Sequence, residues 1–274
     1  MQYEQTKSLT EGEFKRLFGV KRQTIEEMVG VMRQYIKLKK TSDSPKLSRE
    51  DQVLVALQYW REYRTYFHIA SDWGVSESTV CRTVHKVENT KIVQGRFSLP
   101  GKKSLLQEQN PETVAFDVTE SPIERPKHGQ KRFYSGKKKH HTLKSQIIVD
   151  LNTGAIICTA HGQGKHHDFR LFKHSRVRFH PQTLGLADLG YQGITKLHPK
   201  SKTPKKKPKG GQLSLSDKGF NRQLAQQRVI SEHVNRSLKI FKILRERYRN
   251  RRRRFGLRCN LIAALYNYEL QLTG

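Results

Sequence analysis

The chain has 274 residues, 35% of them hydrophobic, with 53 Lys+Arg against 24 Asp+Glu and a formal net charge of +29. That length and apolar content describe a globular protein of one large or two modest domains. The charge excludes a cationic partner and selects a polyanion, nucleic acid foremost, although a ribosomal-type or membrane-surface protein would carry it equally well.

From Met1 to Lys7 there is no apolar core that could serve as a signal peptide, and no run of about 18 apolar residues follows, so a cytoplasmic protein with no membrane association is expected. The first hundred residues read as helices. Thr10 and Glu13 have capping-box spacing ahead of Phe14, Leu17 and Phe18. A second helix is predicted from Gln23 to Leu38, followed by a polar stretch from Lys39 to Ser44. Ser48 then opens a third helix, with Val53, Leu54, Leu57 and Trp60 on its core face.

Tyr66 to His85 carries a helix-turn-helix pattern. Ala70 allows close approach, Gly74 supplies the turn, Ser76 caps the second helix, and Val80 and Val84 bury its inner side. Ser76, Glu77, Ser78, Thr79, Arg82, Thr83 and Lys86 are expected to point outward, a set suited to base edges and phosphates in a major groove. An ordinary helical hairpin would share the same glycine turn.

Between Gln94 and Asn110 the helical period stops, and Gly95, Pro100, Gly101 and Pro111 bracket a linker. Strand texture follows. Val114 to Thr119 alternates, with Asp117 on the face of small neighbours opposite Val114, Phe116 and Val118. Thr142 to Asp150 and Gly154 to Ala160 read as a hairpin joined at Asn152 to Gly154. A helix starts after Asp168, read as its cap, and Thr183 to Ala187 forms a strand ending at Asp188. Another strand is predicted from Leu197 to Thr203. Lys205 to Gly211 is a basic loop, and one long helix is predicted from Ser216 to Arg249. The final helix, Leu257 to Leu270, is apolar on most sides and packs back on the core.

A carboxylate such as Asp117 in mid-strand is costly to bury unless cations meet it, which Mg²⁺ would do. Turn or hydrogen-bonding roles would equally account for Asp117 and Asp188 taken singly. At 100° per residue, Glu232, Asn235, Arg236 and Lys239 share one stripe of the long helix, opposite Ile230, Val234, Leu238 and Phe241. A solvated Glu232 and Arg236 pair would also produce that stripe. Cys81, Cys158 and Cys259 show neither disulfide nor zinc spacing and read as buried thiols. His140 with His141, and His166 with His167, read as polar residues of DNA-facing loops.

The order of strand Asp, two strands, helix, strand-end Asp and helix Glu resembles the ribonuclease-H-like fold of DDE transposases. The motifs behind the resemblance span most of the chain: Glu13 to Val20, the helix-turn-helix, Phe116 to Glu120, Gly164 to Asp168, Ala187 to Gly193, Phe220 with Asn221, Arg228 to Lys239, and Cys259 to Asn267. The chain is similar to bacterial insertion-sequence transposases of the family numbered five, related to the Harbinger-derived nucleases. Leu189 and Gln192 depart from that family's pattern, where a basic residue and a proline are common.

The resemblance implies an α/β protein, a ribonuclease-H-like mixed sheet flanked by helices and preceded by an all-α helix-turn-helix domain. The expected partition is 1–95 for DNA binding, 96–112 for the linker and 113–274 for catalysis. It implies Asp117, Asp188 and Glu232 as catalytic residues and ligands of Mg²⁺, with Mn²⁺ able to substitute, and phosphoryl transfer at element ends. Asp168 is a fourth acidic residue in these motifs. The implied partner is double-stranded DNA, both element ends and target. Arg236 and Lys239, together with Arg251, Arg252 and Arg253 from a basic cluster running from Arg245 to Arg258, would track its backbone. Joining two ends implies a homodimer or larger homo-oligomer, acting at the bacterial nucleoid. A domesticated, non-catalytic DNA-binding protein and a nuclease without strand transfer are the alternatives.

Overall fold

A computed structural model describes residues 2–39, 46–94, 97–107 and 109–273. Most of the predicted polar stretch after Lys39, and Gly95 of the linker, lie outside the described residues. The chain forms two compact units, one of residues 1–98, 238–246 and 257–274, the other of residues 99–237 and 247–256.

The first unit is helical: α1 (Glu11–Phe18), α2 (Arg22–Lys39), α3 (Arg49–Glu62), α4 (Tyr66–Trp73) and α5 (Glu77–Gln94). Thr10 and Glu13 close the expected capping box on α1, the Glu13 N–H donating to Thr10 Oγ1 at 3.3 Å and the Thr10 N–H to Glu13 Oε2 at 2.8 Å. Helix α3 is buried well beyond one face, because Val53, Leu54, Val55, Ala56 and Leu57 are all fully covered. An apolar run of that density makes a central helix rather than an amphipathic one.

The short α9 (Lys242–Arg245) and all of α10 (Phe255–Gln271) beyond Gly256 belong to this unit as well. Leu261, Ile262 and Leu265 of α10 are buried, and so is Arg258. The Arg258 Nε lies 2.6 Å from Glu88 Oε1 on α5, which also accepts from Trp60 Nε1 at 3.2 Å. The Arg258 guanidinium lies 5.2 Å from the Tyr59 ring centroid. Arg258 therefore leaves the basic run expected to track DNA: its charge is consumed inside the helical core.

The second unit holds β1 (Thr113–Pro122), β2 (Tyr134–Ser135), β3 (His140–Asp150), β4 (Ile156–Gln163), β5 (Leu184–Ala187) and β6 (Ser201–Lys202). Its helices are α6 (Gln130–Phe133), α7 (Asp168–Ser175) and α8 (Leu215–Lys239). Strand β1 pairs antiparallel with β3 and parallel with β5; β3 carries β4, and at its start β2, while β5 carries β6. This mixed α/β sheet is the ribonuclease-H-like arrangement, with the predicted hairpin as β3 and β4.

One sheet face is packed by Val114, Phe116, Ile148, Phe172, Phe179 and Tyr191, the Phe116 ring lying 5.4 Å from Phe172 and 5.0 Å from Tyr191. Leu105, inside the predicted linker, is fully buried in the same cluster, and the Gly101 N–H donates to the Ile157 carbonyl. That segment is thus part of the sheet unit.

Three local expectations need correcting. The long helix stops at Lys239, with Phe241 in extended backbone before α9; the stop falls where the chain passes from one unit to the other, without proline or glycine to announce it. The strand predicted over 197–203 shrinks to Ser201–Lys202 because a 3-10 turn at Ile194–Lys196 precedes it. His140 and His141 are strand residues paired with Ser135 and Tyr134, not loop residues.

Replacing Arg258 with Met leaves Glu88 as an uncompensated buried charge, which should cost about 3–5 kcal/mol of stability in urea unfolding. Converting both partners to apolar residues should recover most of that loss; no recovery would mean the pair does more than neutralise itself.

Candidate active site

Two aspartates on neighbouring parallel strands define the site. The β1–β5 register ends at Phe116 beside Ala187, so the next residues, Asp117 and Asp188, follow side by side, with strands about 4.8 Å apart. Alternation turns Phe116 into the apolar cluster and Asp117 to the other face, as its small-neighbour setting predicts. Asp188 leaves β5 in extended backbone and its Oδ1 accepts the Gly190 N–H at 2.9 Å.

Helix α8 reaches Asp117 with two side chains. Asn235 Nδ2 donates to Asp117 Oδ2 at 2.8 Å, and Arg228 lies 3.7 Å from Oδ1; the Val118 N–H donates to Oδ1 at 2.9 Å. Arg228 and Asn235 are seven residues apart, two helical turns, so both border the buried stripe of Leu224, Ser231, Val234 and Leu238. Ile230, expected in that stripe, is 37% exposed, and Ser231 takes its place.

Asp168 brings a third carboxylate. It is the first residue of α7 rather than its cap, which is His167. Its Oδ1 accepts from Lys144 Nζ at 2.8 Å, and Glu120 lies 3.7 Å from the same ammonium. Its Oδ2 and Asp188 Oδ1 both approach Gly190, where an added Cβ would lie 2.6 and 3.0 Å from them. Only glycine permits two carboxylates to converge there.

Four carboxylates, Asp117, Asp168, Asp188 and Glu120, thus face three cations, Arg228, Lys144 and Lys137. Burial pushes the Asp117 carboxyl above its ordinary range, Arg228 opposing and Asp188 adding to the effect. Burial likewise raises Asp188, with Asp168 reinforcing it and Arg228 opposing. The Tyr191 hydroxyl, which donates to Gln146 Oε1 at 3.2 Å, is raised by burial and then by the same three aspartates.

A divalent cation suits this imbalance: the carboxylates outnumber their cations, and Asn235 Oδ1 is buried with no hydrogen-bond partner. Asp117 and Asp188 are the residues that could hold it. Among the described residues, no group of three His, Cys, Asp or Glu is assembled around one metal position. Glu232 lies on α8 one turn from both Arg228 and Asn235, on the exposed side.

In the helix-turn-helix, Gly74 takes left-handed backbone with φ 61° and Ser76 Oγ accepts the Thr79 N–H at 3.3 Å. Ser76, Glu77, Ser78 and Arg82 are exposed, while Thr79 and Lys86 are half-buried. Thr83 is buried at 7% exposure, so its expected outward role is corrected: it shares the inner stripe of Val80, Val84 and Val87. Arg236, Arg251, Arg252 and Arg253 are exposed and Lys239 is half-buried.

Residues 116–267 match the family model of the DDE superfamily endonuclease, and residues 45–97 match the helix-turn-helix of DDE superfamily endonuclease. The chain belongs to the DDE superfamily of endonucleases. A probable transposase for insertion sequence element IS702 from Microchaete diplosiphon is 58% identical over 274 residues, covering 99% of each chain. No solved structure gives a significant match. Within this endonuclease chain, residue reasoning missed Lys144 as a partner of Asp168, and Arg228 and Asn235 as partners of Asp117. The seven-residue spacing of the latter two was the available signal.

A carboxyl whose folded value lies above the unfolded one keeps its proton in the native state over a range where the unfolded chain has released it. The protein therefore loses stability as pH rises from the ordinary Asp value, about 3.9, through the raised value. Asp188→Asn removes this loss and still accepts the Gly190 N–H. It should raise the metal-free melting temperature at pH 7 by about 2 °C, with no gain near pH 3. A lower melting temperature at pH 7 would contradict the charge crowding.

Proposed function

We propose that this protein is the transposase of an insertion sequence, of the family numbered five, binding terminal inverted repeats through its helix-turn-helix and cleaving and transferring strands in its sheet unit. The observation that carries the proposal is the side-by-side placement of Asp117 and Asp188 with more carboxylate than cationic charge around them. The full-length likeness to a probable insertion-sequence transposase supports it.

In this reading Asp117 and Asp188 are metal ligands, and Glu232 is the third, supplied from the exposed side of α8. Bound there, Mg²⁺ or Mn²⁺ would supply Lewis-acid activation of the attacking and leaving oxygens. Asn235 holds one Asp117 oxygen in place, leaving the other oriented, and Arg228 limits the repulsion between the aspartates until cations arrive. Gly190 keeps Asp168 and Asp188 at close approach. Ser76, Glu77, Ser78, Thr79, Arg82 and Lys86 contact the element end, while Arg236, Lys239, Arg251, Arg252 and Arg253 engage the backbone. The surplus of 53 Lys+Arg over 24 Asp+Glu supplies the salt-sensitive attraction. Two ends are joined by a homodimer or larger homo-oligomer at the nucleoid.

Asp117→Asn and Glu232→Gln should each reduce Mg²⁺-dependent nicking of a duplex carrying the element end by at least about 100-fold, while gel-shift affinity for that duplex stays within about threefold. Cleavage that persists in Asp117→Asn would overturn the assignment. End binding by the wild type without any metal-dependent nicking would favour a domesticated regulator instead.

A further inference from the structure

The turn after Asn250 sets three arginines in unusual backbone: Arg251, Arg252 and Arg254 have φ of 45°, 68° and 59°. Left-handed backbone crowds the Cβ of an L-residue, so three such residues within four positions need support from outside the turn. Tyr248 provides it. Its hydroxyl donates to the Arg253 carbonyl at 2.6 Å, its N–H donates to the Pro122 carbonyl at 2.8 Å, and it bridges Ile123 in parallel register. Tyr248 is itself 1% exposed, with its ring edge-on to Phe255 at 5.1 Å. The Arg252 guanidinium is held 4.6 Å from the Phe133 ring centroid.

Facing this turn is the segment that follows β1. Between the two walls lies a cavity of about 400 Å³ whose lining includes Arg125, Lys127, His128, Arg251 and Arg252, with Glu124 as its carboxylate. Among the described residues, Lys127, His128, Arg251 and Arg252 enter no ion pair. Arg251 and Arg252, set by that turn, and Lys127 and His128 across from them leave the cavity with more cationic than anionic charge, an arrangement suited to an anion. Arginine forks match phosphate oxygens in pairs, and the two walls together suit a run of phosphates better than a single carboxylate.

We propose that this cavity is a clamp for the DNA backbone, distinct from the contacts of the helix-turn-helix, that holds phosphates at a set distance from the reacting one. The inference rests on the transposase reading and adds to it. Pro122 is five residues beyond Asp117 on β1, about 17 Å along an extended strand. A duplex advances about 3.4 Å per nucleotide of one strand, so a backbone laid along β1, the path the clamp proposal takes, would put the clamped phosphate about five nucleotides from the scissile one.

The decisive variant is Arg251→Gly with Arg252→Gly, because glycine adopts the same φ without the Cβ crowding. In the full-length protein its melting temperature should stay the same or rise. Binding to a duplex taken from the DNA flanking its own reading frame should show a slope of log K against log salt shallower by about 0.9 per phosphate released, hence by one to two for the pair. Lys127→Ala, on the opposite wall in an exposed loop, should shift the slope by about 0.9 without touching the turn. A methylphosphonate about five nucleotides from the cleavage position should suppress wild-type cleavage and have no further effect in the glycine variant.

Unchanged salt slopes in both variants would overturn the clamp. So would methylphosphonate effects identical in wild type and variant. Wild-type protein that shows the slope changes yet never nicks DNA would count against the transposase reading and leave the clamp standing.

Discussion

Burial of two neighbouring carboxylates, Asp117 and Asp188, is the constraint around which the sheet unit is organised. A parallel register places them on adjacent strands, and burial denies them the water that would screen their charge. Everything nearby answers that cost in part. Arg228 and Asn235 come from two turns of α8, Lys144 takes up Asp168, and Gly190 leaves room for the oxygens that converge on it. The compensation is incomplete, and a chain with a net charge of +29 has no shortage of cations with which to complete it. A locus kept acidic inside a basic protein is the feature on which the proposed cation site rests.

The helical unit solves the opposite problem. Arg258 and Glu88 are both withdrawn wholly from water, and their attraction offsets desolvation only because Trp60 and Tyr59 complete the surroundings. The pair fastens α10 to α5, on whose outer side Glu77, Ser78 and Arg82 are exposed. The N-terminal helices and the C-terminal helix therefore form one core although 170 residues separate Glu88 from Arg258 in sequence.

Much of this was legible in the residues. Strand alternation correctly separated Phe116 from Asp117, the Asn152 to Gly154 turn located the hairpin, and the capping box at Thr10 closed as its spacing requires. Errors arose where a helix has two plausible faces. Thr83 and Ile230 were placed one position around their helices from where they lie, because polar and apolar residues alternate closely enough there for either stripe to look continuous. Arg258 looked like one more surface charge, since nothing in a basic run reveals which arginine has a buried carboxylate waiting. The end of α8 was invisible because no proline or glycine marks it.

The sequence by itself determined the change from helical to strand texture, the preference for an anionic partner, and the headings of Phe116 and Asp117 on their strand. Those properties follow from local periodicity and from summed charge, which need no knowledge of neighbours. Which groups meet was decided only by tertiary structure: Asp168 beside Asp188, Asn235 on Asp117, Arg258 on Glu88. Periodicity sets a side chain's heading relative to its element, whereas a contact depends on the register and crossing of two elements distant in the chain.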